Sequence, residues 1–524
     1  MTARPRRIEH AALRLLSALD AACSRLYGWK GNPLYQSGTI AVALLLVLIA
    51  SGLWLIVFYR VGTPYESVQR IAADVYVGRW VRGVHRYATD ALIIATLVHG
   101  FRMFAQGRSW GPRALAWMSG IVLVSLVYVC TLTGYVMVWD TFGFQIAQEG
   151  ARLMDSLPFL SEPISRAFTG EQDMMGPFFF LNLFAHIAVP LGMALVLWLH
   201  VSRVARPTLL PPRRLMYGLG GALAAAAVLF SPGLQPEANT FHLPPSVEMD
   251  MLAAWWLPLT QKLPAGFGLA LIATVIALAF FVPLLTRRKG AAAPPPSVVD
   301  EDICVGCTQC ALDCPYDAIT MLTRAPGGRS ELVARVNPEL CVSCGICAGS
   351  CAPMSVGPPG RTGRDQLSRV RTFMQDENIR SGRHVVICCE RGAQQWSRAI
   401  AAEGAAVYPV DCAGSLHTSV VEMLVRGGAS GVLVVSCPPR DCWNREGPRW
   451  LVERMFNERE AELQARVDRG RVRVVHASAS QTSEAIDALR QFVADTAPVA
   501  DEAETDFEPD AICEPATPAD TPLP

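Results

Sequence analysis

The sequence predicts a membrane-embedded all-α bundle of about six helices, followed by a small α+β module and then an α/β domain. Three observations carry that prediction. Long apolar segments recur up to about residue 285, cysteines cluster from Cys304 to Cys389, and short apolar runs alternate with helical patterns after Ser381. At 524 residues the chain is too long for a single core. Its hydrophobic fraction, 51%, is high for a soluble protein. The 46 Lys and Arg balance 46 Asp and Glu, so net charge makes no case for nucleic acid or an acidic substrate.

The spans run roughly from Leu34 to Tyr59, Gly83 to Phe104, Ala114 to Trp139, Phe178 to Val201, Leu215 to Phe230 and Ala265 to Leu285. Most approach the ~20 residues that cross a bilayer, the fifth being the shortest. Basic residues mark one side. Arg4, Arg6 and Arg7 precede the first span, and Arg102, Arg108 and Arg113 follow the second. Arg203, Arg206, Arg213 and Arg214 follow the fourth, and Arg287, Arg288 and Lys289 the sixth. The alternate loops carry Asp140, Glu149, Asp155, Glu162, Glu171, Asp173, Glu237, Glu248 and Asp250. By the positive-inside rule both termini face the cytoplasm, which suits a multi-pass protein of the cell's inner membrane.

The expected boundaries follow composition. Residues 1–30 are basic and periodic, and read as an amphipathic helix on the membrane surface rather than a signal peptide. The transmembrane bundle takes 31–289, a Pro-rich linker 290–299, the cysteine module 300–355 and a Gly/Pro/Arg connector 356–380. Residues 381–496 alternate strand and helix patterns, implying a parallel sheet, and 497–524 are an Asp/Glu/Pro/Ala-rich disordered tail.

Four histidines lie inside apolar spans, where an ionisable side chain is costly and marks function. His85 and His99 share the second span and His186 and His200 the fourth, each pair fourteen residues apart (99 − 85 and 200 − 186). Fourteen residues advance a helix by about 21 Å and return within about 40° of the same face. The two spans run in one direction, so His85 faces His186 near the outer side and His99 faces His200 near the cytoplasmic side. Two bis-imidazole sites result, and haem iron is their natural occupant. A lone membrane histidine reads equally well as a satisfied core residue; two pairs at one spacing do not.

Glycines repeat the interval. Gly38 and Gly52 in the first span, and Gly120 and Gly134 in the third, are also fourteen apart (52 − 38 and 134 − 120). A flat macrocycle in a helix bundle needs bare backbone beside it. Arg82 and Arg102 stand three residues outside His85 and His99, each placed to reach a haem propionate at its own face or to anchor the helix at the interface.

With these residues, Arg7 to Leu285 resembles the cytochrome b family of quinol-oxidising respiratory complexes, including the stretch Gly134-Tyr135-Val136-Met137-Val138-Trp139. That family usually has Pro where this chain has Val138. The resemblance implies two b haems and a quinone or quinol substrate. It also aligns Met249-Asp250-Met251-Leu252 with the family's Pro-Glu-Trp-Tyr segment, putting Asp250 at the position of the carboxylate that accepts a quinol proton. Trp139 and Phe142 would lie nearby. As a residue alone, Asp250 reads equally as a solvated loop aspartate.

The chain holds sixteen cysteines. Cys304-x2-Cys307-x2-Cys310-x3-Cys314-Pro315 recurs as Cys341-x2-Cys344-x2-Cys347-x3-Cys351. This is the spacing of a bacterial two-cluster ferredoxin, in which each run gives three thiolates to one [4Fe–4S] cluster and its fourth to the other. The first cluster takes Cys304, Cys307, Cys310 and Cys351; the second takes Cys341, Cys344, Cys347 and Cys314. Zinc is the bland alternative.

Cys388, Cys389, Cys412, Cys437 and Cys442 stand at or near ends of apolar runs, where open α/β sheets place their sites. Four thiolates would serve a [2Fe–2S] cluster; buried free cysteines are the competing reading. The stretch Gly431 to Cys442, with Cys412-Ala-Gly upstream, resembles the delta subunit of methyl-viologen-reducing hydrogenases over about His384 to Phe492. That resemblance implies a [2Fe–2S] cluster and a flavoprotein partner of heterodisulfide-reductase type. The family's separated cysteines are adjacent here, so Cys388 and Cys389 compete for the fourth ligand, with Cys389 favoured.

Assembled, these parts form a wire from a membrane quinone pool, through the haems and the ferredoxin module, to the delta-subunit-like domain and a cytoplasmic flavoprotein. A homodimer is compatible with this reading. A purely conductive subunit without its own quinone site and a membrane-anchored iron–sulfur sensor are the rivals. No Gly-rich dinucleotide fingerprint follows a predicted strand, which argues against NAD or FAD binding.

Overall fold

The computed structural model describes residues 7–158, 162–168, 176–202, 208–239, 247–286, 294–324, 329–379, 382–456, 459, 461–477 and 481–496. The expected tail, residues 1–6, residues 290–293 of the linker, and Arg203, Arg206, Arg287, Arg288, Lys289, Glu171 and Asp173 lie outside the described residues.

Helix α1 (Arg7–Gly31) is kinked near its end, where Gly28 takes φ 68. A new helix, α2 (Pro33–Phe58), starts at once because Asn32 caps it, accepting from Leu34 N at 2.9 Å, with Pro33 pre-set at the first position. Next come α3 (Pro64–Ala73), α4 (Gly78–Ala105), α5 (Ala114–Val138), α6 (Thr141–Met154) and α7 (Gly176–Ser202). Among the described residues α2, α4, α5 and α7 are the helices long and apolar enough to cross a membrane. The remaining two expected spans are shorter: α8 (Arg213–Leu229) has 17 residues and α11 (Ala265–Phe280) has 16. Short α9 (Met251–Ala254), α10 (Leu257–Thr260) and α12 (Val282–Thr286) flank α11. The bundle is two antiparallel helix pairs, α2 on α4 and α5 on α7, with α8 against α4. At that last contact a Cβ on Gly83 would lie 2.9 Å from Ala227.

The cysteine module repeats its own backbone. β1 (Val298–Val299), α13 (Gln309–Leu312), β2 (Ile319–Thr323), β3 (Leu332–Val336), α14 (Ile346–Ser350) and β4 (Val356–Gly357) form two antiparallel two-stranded sheets, β1 with β4 and β2 with β3. Positive φ recurs at Gly306 and Ser343, Thr308 and Gly345, and Asp317 and Met354. Each pair is 37 residues apart (343 − 306, 345 − 308, 354 − 317), the offset of the two cysteine runs (341 − 304). These bends curl each run around its cysteines. The module is therefore wider than composition suggested. Val298–Val299 belongs to it rather than to the linker, and Val356–Gly357 closes it from within the expected connector. The rest of that connector holds α15 (Gly363–Asp376), with a reciprocal capping box between Thr362 and Asp365.

The last domain is the expected parallel sheet. β5 (Val385–Cys389), α16 (Glu390–Ala402), β6 (Ala406–Val410), α17 (Thr418–Arg426), β7 (Val432–Ser436), α18 (Gly447–Phe456), β8 (Val472–His476) and α19 (Thr482–Asp495) give strand order β6-β5-β7-β8, parallel throughout. Central strands β5 and β7 are buried at every residue, as sheets covered on both faces require.

Candidate functional site

Each membrane histidine meets a two-residue unit on the neighbouring helix. A Cβ built on Gly38 would lie 2.9 Å from His99 Cε1, and one on Gly134 3.0 Å from His186 Cε1. On Gly52 and Gly120 the distances to His85 and His200 Cε1 are both 3.4 Å. The glycines thus make room for the imidazole itself, where a need for macrocycle clearance was expected. The residue before each glycine carries a hydroxyl toward the same ring's Nδ1. Ser51 reaches His85 at 2.9 Å, Ser119 reaches His200 at 2.9 Å, Thr133 reaches His186 at 3.1 Å and Ser37 reaches His99 at 3.4 Å.

Those hydroxyls have a second partner that fixes the tautomer. Ser51 donates to Val47 O at 2.7 Å, Ser119 to Leu115 O at 2.9 Å, Thr133 to Val129 O at 3.0 Å and Ser37 to Leu34 O at 2.9 Å. A hydroxyl has one proton, so with that proton on a carbonyl its oxygen can only accept. In that arrangement Nδ1–H donates to the hydroxyl oxygen and Nε2 is left as a bare lone pair, the form in which imidazole binds metal. The His85 and His186 ring centroids are 6.4 Å apart. With metal–imidazole bonds of about 2 Å, two rings sharing one ion have centroids about 6 Å apart. The donor set fits an iron held between α4 and α7. A bound haem would supply one-electron chemistry there; the chain's part is to orient the two lone pairs and exclude water.

Both flanking arginines turn to protein acceptors. Arg82 donates to Pro232 O at 2.5 Å and Gly233 O at 3.0 Å, so it holds the loop after α8 rather than an open haem edge. Arg102 places Nη1 and Nη2 on Asp441 of the α/β domain at 2.8 and 2.6 Å. Its Nε, with Arg113 Nε and Ser109 Oγ, is buried without a protein partner. Those orphaned donors would suit a haem carboxylate at the His99/His200 end.

Asp250 is far from a solvated loop residue. Its carboxylate pairs with Arg86, accepts from Tyr135 Oη at 2.5 Å, and caps α9 through Leu252 N at 2.8 Å and Ala253 N at 3.3 Å. Burial alone would raise its pKa; the Tyr135 hydroxyl, Arg86 and the backbone donors outweigh that and hold it below the ordinary carboxylate range. Arg86 also pairs with Asp90. Tyr135 meets Phe142 edge-on at 4.9 Å, while Trp139 lies within an aromatic cluster with Phe144, Phe178 and Phe179.

In the cysteine module two cavities divide the eight thiols. One is lined by Cys304, Cys307, Cys310 and Cys351; the other by Cys314, Cys341, Cys344 and Cys347. These are the crossed sets that spacing predicts. Backbone amides point at sulfur: Ser297 N to Cys341 at 3.3 Å, Ala318 N to Cys314 at 3.3 Å and Ser355 N to Cys351 at 3.2 Å. Burial pushes the Cys347 thiol up to about 12 and Cys344 well above its ordinary value. Such thiols resist ionising on their own, and a cationic iron core reverses that preference.

In the α/β domain, Cys389, Cys412 and Cys437 follow or end the neighbouring strands β5, β6 and β7 at their carboxyl edge, with Cys442 in the loop after β7. Cys389 Sγ is 3.9 Å from Cys437 Sγ. A Cβ on Gly447 would lie 3.0 Å from Cys412 Sγ and 3.1 Å from Cys442 Sγ, so those two sulfurs are neighbours. Strand alternation separates the adjacent cysteines: Cys388 points into the apolar cluster of Val386, Trp396 and Leu433, and Cys389 to the other face. The four sulfurs form a compact set that fits an iron–sulfur cluster.

Three features escaped the sequence reading. The Ser/Thr-Gly unit was visible as a hydroxyl residue before every fourteen-spaced glycine. Arg86 beside His85 was an unexplained charge within a span. Asp441 gave no signal, because its partners are more than 300 residues away.

Family models match three segments. Residues 27–206 match Cytochrome b/b6/petB, 303–353 a 4Fe-4S dicluster domain, and 385–498 the delta subunit of methyl-viologen-reducing hydrogenase. Asp250 lies outside all three. A chain of a solved structure titled "Hyperthermophilic respiratory Complex III" aligns at 17% identity and TM-score 0.39, over 48% of this chain and 75% of that chain. A likeness that weak carries no argument. The three matches support a membrane electron-transfer protein in which a segment similar to cytochrome b is followed by segments similar to a 4Fe-4S dicluster domain and to the hydrogenase delta subunit.

Proposed function

We propose that the protein exchanges electrons between the membrane quinone pool and a cytoplasmic flavoprotein of heterodisulfide-reductase type. Two b haems, at His85/His186 and His99/His200, carry them through the bilayer, and two [4Fe–4S] clusters and one [2Fe–2S] cluster carry them through the soluble half. The supporting observation is the tautomer lock on all four histidines in a chain that also gathers twelve cysteines into three sets. The quinone end rests on Asp250, held as a carboxylate with Tyr135 and Arg86 at the His85/His186 end. The commitment of Asp250 to those partners also favours a second reading, a conductive subunit whose quinol chemistry is done elsewhere. Anaerobic addition of a short-chain quinol to the oxidised, purified chain tests this. Haem reduction in the parent protein and its loss in Asp250→Ala support an active site; haems that stay oxidised with quinol but reduce with dithionite support the conductive reading.

A further inference from the structure

The soluble half docks on the membrane half through the loop that carries two of its cysteines. Asp441, 1% exposed, receives Arg102, 3% exposed, through two hydrogen bonds, and Arg108 Nη1 joins at 3.1 Å. Arg108 also donates to the Arg440 carbonyl at 3.2 Å and to the Asp441 carbonyl, and Arg113 donates to the Cys442 carbonyl. In return Arg440 reaches Gln36 Oε1 at 2.7 Å and lies over the Tyr35 ring at 4.5 Å. Trp443 meets Trp110 at 5.1 Å and packs tightly on Gly111, where a Cβ would come to 3.1 Å from its ring.

Two residues of this socket, Arg102 and Gln36, adjoin the His99/His200 site. Arg102 is one helical turn from His99, about 4.5 Å of rise. Gln36 precedes Ser37 and Gly38, the pair that holds the His99 ring. On the soluble side Asp441 adjoins Cys442. From there contacts lead on to the ferredoxin-like module. Arg445 donates to Pro315 O at 2.5 Å and lies over Tyr316 at 4.3 Å, next to Cys314. A Cβ on Gly345, beside Cys344, would lie 3.0 Å from Ser415, three residues beyond Cys412. Pro315, Tyr316 and Cys344 line the cavity of Cys314, Cys341, Cys344 and Cys347, whereas none of these contact residues lines that of Cys304, Cys307, Cys310 and Cys351.

We infer that the Asp441 clamp fixes the order of the redox path. The Cys389/Cys412/Cys437/Cys442 site, rather than the ferredoxin module, exchanges electrons with the near haem site, and the Cys304 set is the soluble terminus. This replaces the order that domain sequence along the chain implies. Asp441 is a positioning residue. Its charge offsets Arg102 and Arg108 and presents Cys437 and Cys442 to the membrane half. Each transfer moves one electron, oxidising the donor site and reducing the acceptor, with no bond made or broken. The inference rests on the cofactors assigned above but not on the quinone site.

Two measurements on the full-length, cofactor-loaded protein test it without quinone. In Cys412→Ser, deazaflavin photoreduction is expected to reduce the [4Fe–4S] signals while haem reduction lags on the order of 10²-fold behind the parent, as misplacement of a redox step predicts. Haems that reduce in step with those clusters overturn the order. In Asp441→Asn, an optical redox titration should show the midpoint of the His99/His200 haem rising while that of the His85/His186 haem holds, because removed negative charge favours the reduced state. Unchanged midpoints at both haems overturn the clamp.

Discussion

The membrane half and the ferredoxin-like module both build paired sites by repeating a unit, but the unit differs in reach. In the module, ligands, left-handed turns and N–H···S donors repeat together within 37 residues of chain, so each run carries most of its own site. In the bundle, the histidine is on one helix and its Ser/Thr-Gly partner on another, as with His99 on α4 and Ser37-Gly38 on α2. A locally encoded site survives small errors of packing between elements. A site divided between helices inherits every shift of the bundle.

The largest break of the comparison comes from a ligand. His99→Leu should abolish the near haem and leave the far one, read as loss of one low-spin species in the spectrum and roughly half the haem per chain. Next comes Arg454→Met, aimed at the contact that makes the module less self-sufficient than its repeats imply. Arg454 is fully buried and donates to Ile346 O at 3.1 Å, Ser350 Oγ at 3.0 Å and Gly414 O. Removing those donors should cost about 3 kcal/mol and raise hydrogen exchange across residues 346–350 and 413–415.

Glycine substitutions sharpen the account of the bundle. Each histidine pair has one tight and one looser glycine, so Gly38→Ala and Gly134→Ala should cost about 2 kcal/mol by overpacking the ring. Gly52→Ala and Gly120→Ala, with 3.4 Å contacts, should keep more haem at matched expression. Equal losses at all four would show that the macrocycle, not the imidazole, sets the need for glycine. Ser119→Ala should lower haem affinity about tenfold by removing the Nδ1–H acceptor, with Ser119→Thr restoring it.

The smallest effect is acid sensitivity at Asp250. Its folded pKa lies below the unfolded value, so its contacts stabilise fully above the unfolded pKa, about 4, and are lost as pH falls through the folded value. Hydrogen-exchange protection factors at 251–254 should therefore stay flat from neutral pH to about pH 4 and then fall. Asp250→Asn should remove that acid dependence.

Much of this was legible in residues whose spacing is itself the signal. The fourteen-residue interval marked the histidines that the fold brings face to face, the doubled cysteine runs marked the two cysteine groups that line separate cavities, and apolar runs marked β5 to β8. What escaped depends on long-range packing. Strand alternation chooses Cys389 over Cys388 only once β5 is placed in a sheet with two covered faces. The Asp441 partner of Arg102 escaped because local sequence cannot show that a residue 339 positions on will face it. The sixth span also eluded composition in part, since α11 ends at Phe280, five residues before its apolar run does.

The most direct test of the central claim is low-temperature EPR of the purified full-length protein, first oxidised and then reduced with dithionite. The account predicts two low-spin ferric haem species in the oxidised sample, one missing in His99→Leu, and reduced iron–sulfur signals from both the dicluster module and the four-cysteine site. A protein with no low-spin bis-histidine haem would contradict it.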